Sequence, residues 1–193
     1  ETTVAQFRAF VQATGTQTLA ERRGGGEVYE AGWVRKPGWT WRTPFGLKAN
    51  DDEPAVHINF HEARAYCQWA GKRLPTDAEW VSAAYTEQRE RPTDGYVRGK
   101  TYPYPVGDAP DGMNNNRRAH VAVATTKRGV NGLYDMGANV WEWMADRRGD
   151  EALTAGGSWW YGPAQARADG AQWKAASFHA VYIGFRCAYD LNP

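Results

Sequence analysis

The chain has 193 residues and a formal net charge of +1. This length is most simply explained by one domain, covering residues 1–193. The balanced charge, without a long run of one sign, argues against a nucleic acid or an anionic membrane as partner, and no apolar stretch reaches the roughly 18 residues of a membrane-spanning helix. Ten tryptophans and 21 glycines indicate a turn-rich fold held together by large aromatic rings.

Three helices are predicted from apolar periodicity and capping residues. The first occupies "TTVAQFRAFVQATG", with a threonine as N-cap and Gly15 as the stop. The second occupies "NFHEARAYCQWAG", where Asn59 and Glu62 form a capping box, and the third occupies "LPTDAEWVSAAY", where Thr76 and Glu79 repeat it.

Longer stretches of the chain show no helical or strand period. Residues 16–53 carry Trp33, Trp39 and Trp41, and so many aromatics predict an ordered loop and not disorder. The stretch 86–118 is rich in turn residues. Short strands are predicted at "EPAVHINF", "HVAVATT", "NVWEWMAD", "LTAGGSWW" and "AVYIGFRCAY". The chain therefore reads as one α+β domain with little regular secondary structure.

Four motifs follow one another in the order "AYCQWAGKRLPTDAEW", "NGLYDMGANVWEWMAD", "AGGSWW" and "YIGFRCAYD". Together they resemble the formylglycine-generating enzyme family, also called the sulfatase-modifying-factor domain, and "ETTVAQFRAFVQATG" is similar to the opening of that family. The resemblance covers almost the whole chain. It implies the formylglycine-generating-enzyme-type fold, a divergent relative of the C-type lectin fold, but fold alone does not assign function.

The resemblance implies a structural role, and not a catalytic one, for the two cysteines of this chain. Formylglycine generators bind copper through a cysteine pair after "GGS", whereas here no cysteine follows Ser158 before Cys187. Neither copper nor copper-dependent formylglycine chemistry is therefore expected. Cys67 and Cys187 stand where the family has a structural disulfide, which would imply a periplasmic or otherwise exported protein; the alternative is two free thiols in a reducing cytosol. The chain begins at Glu1 and not at Met, so an export signal has been removed or was never present.

A structural calcium site is predicted in "YDMGANVWEW". Asp135 and Glu142 are hard carboxylates that flank a glycine-containing turn with exposed carbonyls, as calcium requires. The resemblance assigns the remaining ligands to the backbone carbonyls of Ala138 and Val140. The alternative is that Glu142 pairs with an arginine such as Arg186.

The four histidines give weak functional signals. His57 and His61 have the spacing that can place two ligands on one helical face, but the segment before His61 reads as extended, so a metal site is not predicted there. His120 stands alone. His179 lies in the C-terminal segment where the family forms its pocket, and it is the candidate catalytic residue, as a general base near neutral pH; a role without catalysis is the alternative.

The family builds its substrate cleft between "GGSWW" and "YIGFRC", and this segment is crowded with aromatic side chains. Trp159 is expected to pack in the interior, whereas Lys174 and His179 are expected to line the cleft. The predicted ligand-binding residues are Trp160, Tyr161, Arg167, Asp169, Gln172, Trp173, Phe178 and Tyr182. Aromatic rings beside a few charges suit a planar small molecule or a peptide-like ligand.

Two functions are consistent with this sequence. The preferred one follows the PvdO-like branch of the family, which lacks the copper cysteines and oxidises the dihydroquinoline-type chromophore of the siderophore pyoverdine. The sequence contains no dinucleotide or flavin motif that would name an electron acceptor. The alternative is a ligand binder without catalysis, such as a retroelement-diversified protein of the C-type-lectin-like fold whose variable residues lie in this same segment.

Overall fold

A computed structural model describes residues 1–190. Four α-helices form: α1 (Val4–Thr14), α2 (Leu19–Arg22), α3 (Phe60–Trp69) and α4 (Asp77–Tyr85). Each helix begins after a capping box, in which the N-cap and N3 side chains bond each other's backbone N–H groups. The three predicted helices are confirmed. No helix within the described range is both long and apolar enough to cross a membrane.

The segment that was predicted as a long loop holds regular structure, so that prediction was wrong in part. Besides α2, it forms an antiparallel hairpin of β1 (Gly25–Tyr29) and β2 (Trp33–Pro37), closed by a turn in which Ala31 has a φ of 46°. Four of the five residues of β2 are exposed, so the strand lacks the apolar alternation by which a half-buried strand is recognised.

The main sheet has the strand order β5-β4-β3-β6. Its strands are β3 (Trp141–Arg148), β4 (Glu151–Ala155), β5 (Gln172–Ala175) and β6 (Ile183–Gly184). Three pairs of neighbours occur: β4 runs antiparallel to both β3 and β5, and β6 runs parallel to β3. The strands predicted at "NVWEWMAD", "LTAGGSWW" and "AVYIGFRCAY" are confirmed, although the last is only two residues long.

The strands predicted at "EPAVHINF" and "HVAVATT" do not form. In the first segment the backbone N–H groups of Ala55, His57 and Phe60 donate to three separate parts of the chain, so no continuous ladder develops. His57 moreover has a φ of 59°, outside the strand region. The segment is buried like a strand but is held by scattered bonds.

The main sheet separates two hydrophobic clusters. Trp141 and Trp143 project from one face into the larger cluster, which contains α1 and α3. Met144 and Leu153 project from the other face onto Trp80 of α4. Because side chains alternate along a strand, each face of β3 is buried against a different cluster. Strand β5 forms one edge of the sheet.

The predicted disulfide is confirmed. Cys67 on α3 and Cys187 beyond β6 are bonded, with a sequence separation of 120 and their Cα atoms 5.6 Å apart. Neither cysteine is free, so the alternative of two thiols does not hold. The bond ties the C-terminal segment to α3, and with it one end of the segment that contains the predicted cleft.

Candidate functional site: an aromatic cleft beside Lys174

A cleft of about 270 Å³ opens at the β5 edge of the main sheet. Its walls come from β3, β5, the β1–β2 hairpin and the loops of the C-terminal segment. Six aromatic side chains line it: Trp33, Trp141, Tyr161, Trp173, Phe178 and Tyr182. Gln172 and Lys174 supply the polar side chains of the same wall. Such a composition, apolar with a few placed polar groups, is typical of a small-molecule site.

The register of the sheet explains why these polar groups face Trp141. Gln172 pairs with Thr154, and Lys174 pairs with Ala152. These residues share one face of the sheet with Trp141, because positions two apart along a strand point the same way. The small side chain of Ala152 leaves the space above it to the long side chain of Lys174.

Lys174 occupies an unusual position for a lysine. Its Nζ lies 4.0 Å from the centroid of the Trp141 ring and donates a hydrogen bond of 3.0 Å to Oε1 of Gln172. Within residues 1–190 no carboxylate forms a salt bridge with it. Burial therefore lowers the pKa of Lys174 to about 7, because desolvation disfavours the ammonium form. Near neutral pH the side chain can supply either an ammonium or a free amine.

The aromatic walls are held in place by contacts between rings. Trp33 meets Phe178 edge to face at a centroid distance of 5.0 Å, and Trp141 meets Tyr161 in the same way at 5.5 Å. Burial raises the pKa of Tyr161, so its hydroxyl stays protonated at neutral pH. The cleft thus presents fixed rings and a neutral phenol to any ligand.

A second groove of about 420 Å³ lies on the other side of Tyr182. The hydroxyl of Tyr182 accepts a hydrogen bond of 3.2 Å from the backbone N–H of Tyr29, which fixes the ring between the two spaces. Trp160 is 49% exposed and, with Arg118, lines this second groove. Trp159 is buried beneath it, as expected for a packing residue.

The structure brings together part of the predicted ligand-binding set. The members that line the cleft are Tyr161, Gln172, Trp173, Phe178 and Tyr182. Trp160 lies in the second groove, and Arg167 and Asp169 lie in a separate hollow that shares only Gln172 with the cleft. Trp33 and Trp141 were not predicted, since they come from distant parts of the chain. The only hint in the sequence concerns Trp33, a tryptophan that lies close to the charged residues Arg35 and Lys36.

His179 lies away from the cleft wall. It is 2% exposed, and its Nδ1 is 3.0 Å from the carbonyl oxygen of Ser177. His57 is fully buried as well, and its Nε2 lies 3.0 Å from the carbonyl oxygen of Pro44. Burial lowers the pKa of His57 to about 3. Lys174, and not His179, is the basic side chain that this geometry places in the cleft; the catalytic role of His179 stays a prediction.

The predicted calcium ligands lie where β3 begins. Glu142 is fully buried and accepts hydrogen bonds of 2.6 and 2.7 Å from Arg186, which is the pairing considered as the alternative. The carboxylate of Asp135 accepts bonds from the N–H of Ala124 at 2.8 Å and from the hydroxyl of Thr126 at 2.6 Å. Both carboxylates are therefore already engaged by the protein.

The donor types at this position suit a hard cation. A carboxylate oxygen that accepts one hydrogen bond keeps a lone pair for a metal, so Asp135, Glu142 and the carbonyls of Ala138 and Val140 could still act as ligands. The Arg186 guanidinium, however, already balances Glu142. Among residues 1–190, no three His, Cys, Asp or Glu side chains converge as a metal-holding group.

Several curated proteins are similar in sequence to this chain. The formylglycine-generating enzyme of Streptomyces coelicolor is 33% identical over 181 residues, which cover 75% of this chain and 55% of that enzyme. The inactive C-alpha-formylglycine-generating enzyme 2 of Mus musculus is 29% identical over 229 residues, covering 94% and 70%. Hercynine oxygenase of Mycobacterium tuberculosis is 28% identical over 220 residues, covering 86% and 48%. The chain spans about half the length of most of these relatives.

Solved structures share the fold at lower identity. PvdO from Pseudomonas aeruginosa superposes with a TM-score of 0.66 at 18% identity, covering 95% of this chain and 75% of that one. CarF gives 0.63 at 20% identity, covering 98% and 82%. Treponema denticola variable protein 1 gives 0.58 at 16% identity, covering 96% and 80%. The fold is thus found both in PvdO and in a variable protein of the C-type-lectin-like kind.

The sequence profile of the sulfatase-modifying factor enzyme 1-like domain matches residues 1–191. This match and the four motifs cover the same chain, and the fold that carries the aromatic cleft is the one that the motifs predicted. The chain therefore belongs to the formylglycine-generating-enzyme-like, or sulfatase-modifying-factor, domain family.

Proposed function

We propose that this chain is a copper-independent member of its family that binds a planar ring on a peptide-like small molecule. We further propose that the ligand is the precursor of a pyoverdine-type siderophore, whose dihydroquinoline-type ring is oxidised in the cleft. The observation that carries the proposal is the aromatic cleft with Lys174 in its wall.

The cleft supports a ligand of this shape by its size and its walls. At about 270 Å³, it lies at the small end of ligand pockets and suits one or two fused rings and not a whole siderophore. Offset and edge-to-face contacts with aromatic side chains favour a planar ring. The second groove beyond Tyr182 offers room for the peptide-like remainder.

Copper independence is supported by the state of the sulfur atoms. Formylglycine-type oxygen activation requires two thiolates, and both cysteines of the chain are joined in the disulfide. A disulfide sulfur is not a thiolate donor. The disulfide also supports an exported protein, for which we propose the periplasm as the compartment.

Lys174 is suited to remove a proton during the oxidation. Loss of two electrons and two protons from a dihydroquinoline gives the aromatic ring, and a neutral amine near pH 7 can accept one of these protons. We name dioxygen as the acceptor, reduced by the two electrons and two protons to hydrogen peroxide. A positioned base contributes typically 10²–10⁴-fold to such a step.

We also propose that calcium binds as a structural ion. Asp135, Glu142 and the carbonyls of Ala138 and Val140 would hold it, and it would brace the turn before β3. Its chemistry there would be electrostatic only, and the proposed reaction does not depend on it.

Binding of a dihydropyoverdine-type precursor, followed by tryptophan fluorescence, tests the proposal. Replacing Trp33 by Ala should weaken binding roughly tenfold, as truncation of an aromatic anchor typically does. Tyr189 is 62% exposed and does not line the cleft, so Tyr189→Ala is the matched control and should bind as the wild type does.

The oxidation is followed separately, by the appearance of the mature chromophore and of hydrogen peroxide. Binding with turnover would support the proposal in full. Binding without turnover would overturn the oxidation and favour the binder without catalysis, and natural variants with replacements confined to residues 160–182 would then identify a diversified protein. Absence of binding would overturn the proposal.

A further inference from the structure

We propose that Lys174 is a nucleophilic amine that forms an imine with an aldehyde or ketone bound in the aromatic cleft. This activity goes beyond the proposed oxidation: it depends on the cleft and on Lys174, but not on a siderophore as the ligand. It identifies carbonyl compounds with a planar ring as a second class of ligand.

The surroundings of Lys174 differ from those of the lysines that are paired with a carboxylate. Lys36 is paired with Glu30 at 2.6 Å, and Lys100 is paired with Asp108 at 2.8 Å. Each of those amines has a carboxylate as its partner. The Nζ of Lys174 instead meets a neutral amide and a ring face, so no anion in the described chain holds its proton.

A neutral amine follows from this environment. Only the free amine carries the lone pair that attacks a carbonyl carbon, and lysines that react in this way are typically desolvated in apolar pockets. Burial lowers the pKa of Lys174 to about 7, whereas the hydrogen bond to Asp108 raises the pKa of Lys100. At pH 7.5 the fraction of neutral amine is therefore larger at Lys174 than at Lys100.

The reaction balances without any oxidant. The Nζ lone pair forms a bond to the carbonyl carbon as the carbon–oxygen π bond breaks; the oxygen takes up one proton and the nitrogen gives one up, which yields a neutral carbinolamine. The oxygen then takes up a second proton and leaves as water while the nitrogen gives up its remaining proton, which leaves the imine. Tyr161 lines the same cleft, and its hydroxyl stays protonated because burial raises its pKa, so it is available as a proton donor to the oxygen.

The cleft also stabilises the product of this reaction. The nitrogen of Lys174 lies 4.0 Å from the centroid of Trp141. When the imine is protonated, its positive charge is placed over the face of that ring, where a cation is attracted by the ring quadrupole. The planar part of the carbonyl compound meets the remaining aromatic walls.

Reductive trapping tests the inference on the intact chain. The protein is treated at pH 7.5 with a limiting amount of 2-hydroxy-1-naphthaldehyde, then reduced with cyanoborohydride, digested and analysed by mass spectrometry. We expect labelling of Lys174 at least about tenfold above that of Lys100, since lower intrinsic nucleophilicity offsets only part of the difference in neutral fraction. Labelling of Lys174 should rise with pH through about 7, and that of Lys100 only at far higher pH.

Two variants complete the test. Lys174→Met removes the amine and suits the aromatic surroundings of the cleft, so it should lose the dominant label while melting close to the wild type; Lys100→Arg should keep the label. Equal labelling of Lys174 and Lys100 would overturn the inference. Labelling of all lysines in proportion to the solvent exposure of their side chains would also overturn it. Imine formation without binding of the siderophore precursor would overturn only the proposed function, whereas binding of the precursor without imine formation would overturn only this inference.

Discussion

Arg186 donates hydrogen bonds of 2.6 and 2.7 Å to the two carboxylate oxygens of Glu142, the residue that was predicted to bind calcium. The Arg186 side chain also donates to the carbonyl oxygens of Tyr134 and Asp135. One guanidinium therefore joins β3, the preceding turn and the segment after β6, which is the bracing role expected of a structural cation. Whether calcium adds to this network or is replaced by it can be measured.

Replacing Arg186 by Met should strongly destabilise the protein in the presence of a chelator. The change leaves the Glu142 carboxylate buried and unpaired, which typically costs about 3–5 kcal/mol. If Glu142 can take calcium, added calcium should restore part of the loss in melting temperature. Arg148→Met is the matched control, because the Arg148–Glu151 pair is exposed and should contribute less than about 1 kcal/mol.

The response of the melting temperature to calcium decides whether the predicted calcium site exists. A rise of the wild-type melting temperature with calcium, and about one ion per chain by elemental analysis, would support the site at Asp135 and Glu142. If neither the wild type nor Arg186→Met responds to calcium, the site is wrong and Arg186 alone braces the turn.

Reduction of the disulfide should lower stability substantially. A bond between Cys67 and Cys187 closes a loop with a sequence separation of 120, and in the loop-entropy view such a loop contributes roughly 4–5 kcal/mol. The urea midpoint of the wild type should fall with reductant, while a double Cys→Ser variant should be unaffected by it. Titration of denatured, unreduced protein should find almost no free thiol; two thiols per chain would contradict the bond.

Acid should destabilise the fold partly through His57. Burial lowers the pKa of His57 to about 3, against about 6.5 in the unfolded chain, so the unfolded state binds more protons between these values and stability falls as pH falls through this window. The contribution amounts to roughly 2–3 kcal/mol between pH 6.5 and 4.5. His57→Gln should be less stable than the wild type at neutral pH, but its stability should fall less steeply as the pH is lowered.

The control for this measurement is His61→Gln, since His61 is largely exposed to solvent. Its pH dependence should resemble that of the wild type. Protonation of acidic groups such as Glu79, whose pKa is lowered to about 2 by Arg73, also destabilises the fold at low pH. Only the difference in pH dependence between the two variants therefore reports on His57. An identical decline in His57→Gln and the wild type would show that His57 does not contribute.

The sequence predicted those features that local chemistry determines. Capping boxes such as that of Asn59 and Glu62 depend on side chains three positions apart, and they placed the helices correctly. The hairpin containing Trp33 was missed because its strands are mostly exposed and have no apolar alternation. The approach of Lys174 to Trp141 depends on the register of three strands, and a single sequence does not fix such a register. Lys174 was therefore predicted to line the cleft, but its contact with Trp141 was not predicted.

The same limit applies to the catalytic base. His179 was chosen because its segment forms the family pocket and because histidine is a common general base near neutral pH. In the structure it is 2% exposed and faces the carbonyl of Ser177. Lys174 has both the location and, through burial, a pKa of about 7. Two substitutions distinguish these candidates.

Lys174→Met should reduce turnover of the dihydropyoverdine-type precursor by about 10²–10⁴-fold, the usual contribution of a positioned base. It should change precursor binding far less, since a proton acceptor acts mainly in the transition state. His179→Gln preserves the approximate size of the side chain and should leave turnover within about threefold of wild type, because it has no reach into the cleft. Wild-type turnover should increase with pH through about 7, as Lys174 loses its proton, and Lys174→Met should lack this step. If His179→Gln removes turnover and Lys174→Met retains it, the assignment of the base reverses, and the reaction takes place deeper in the core than the cleft.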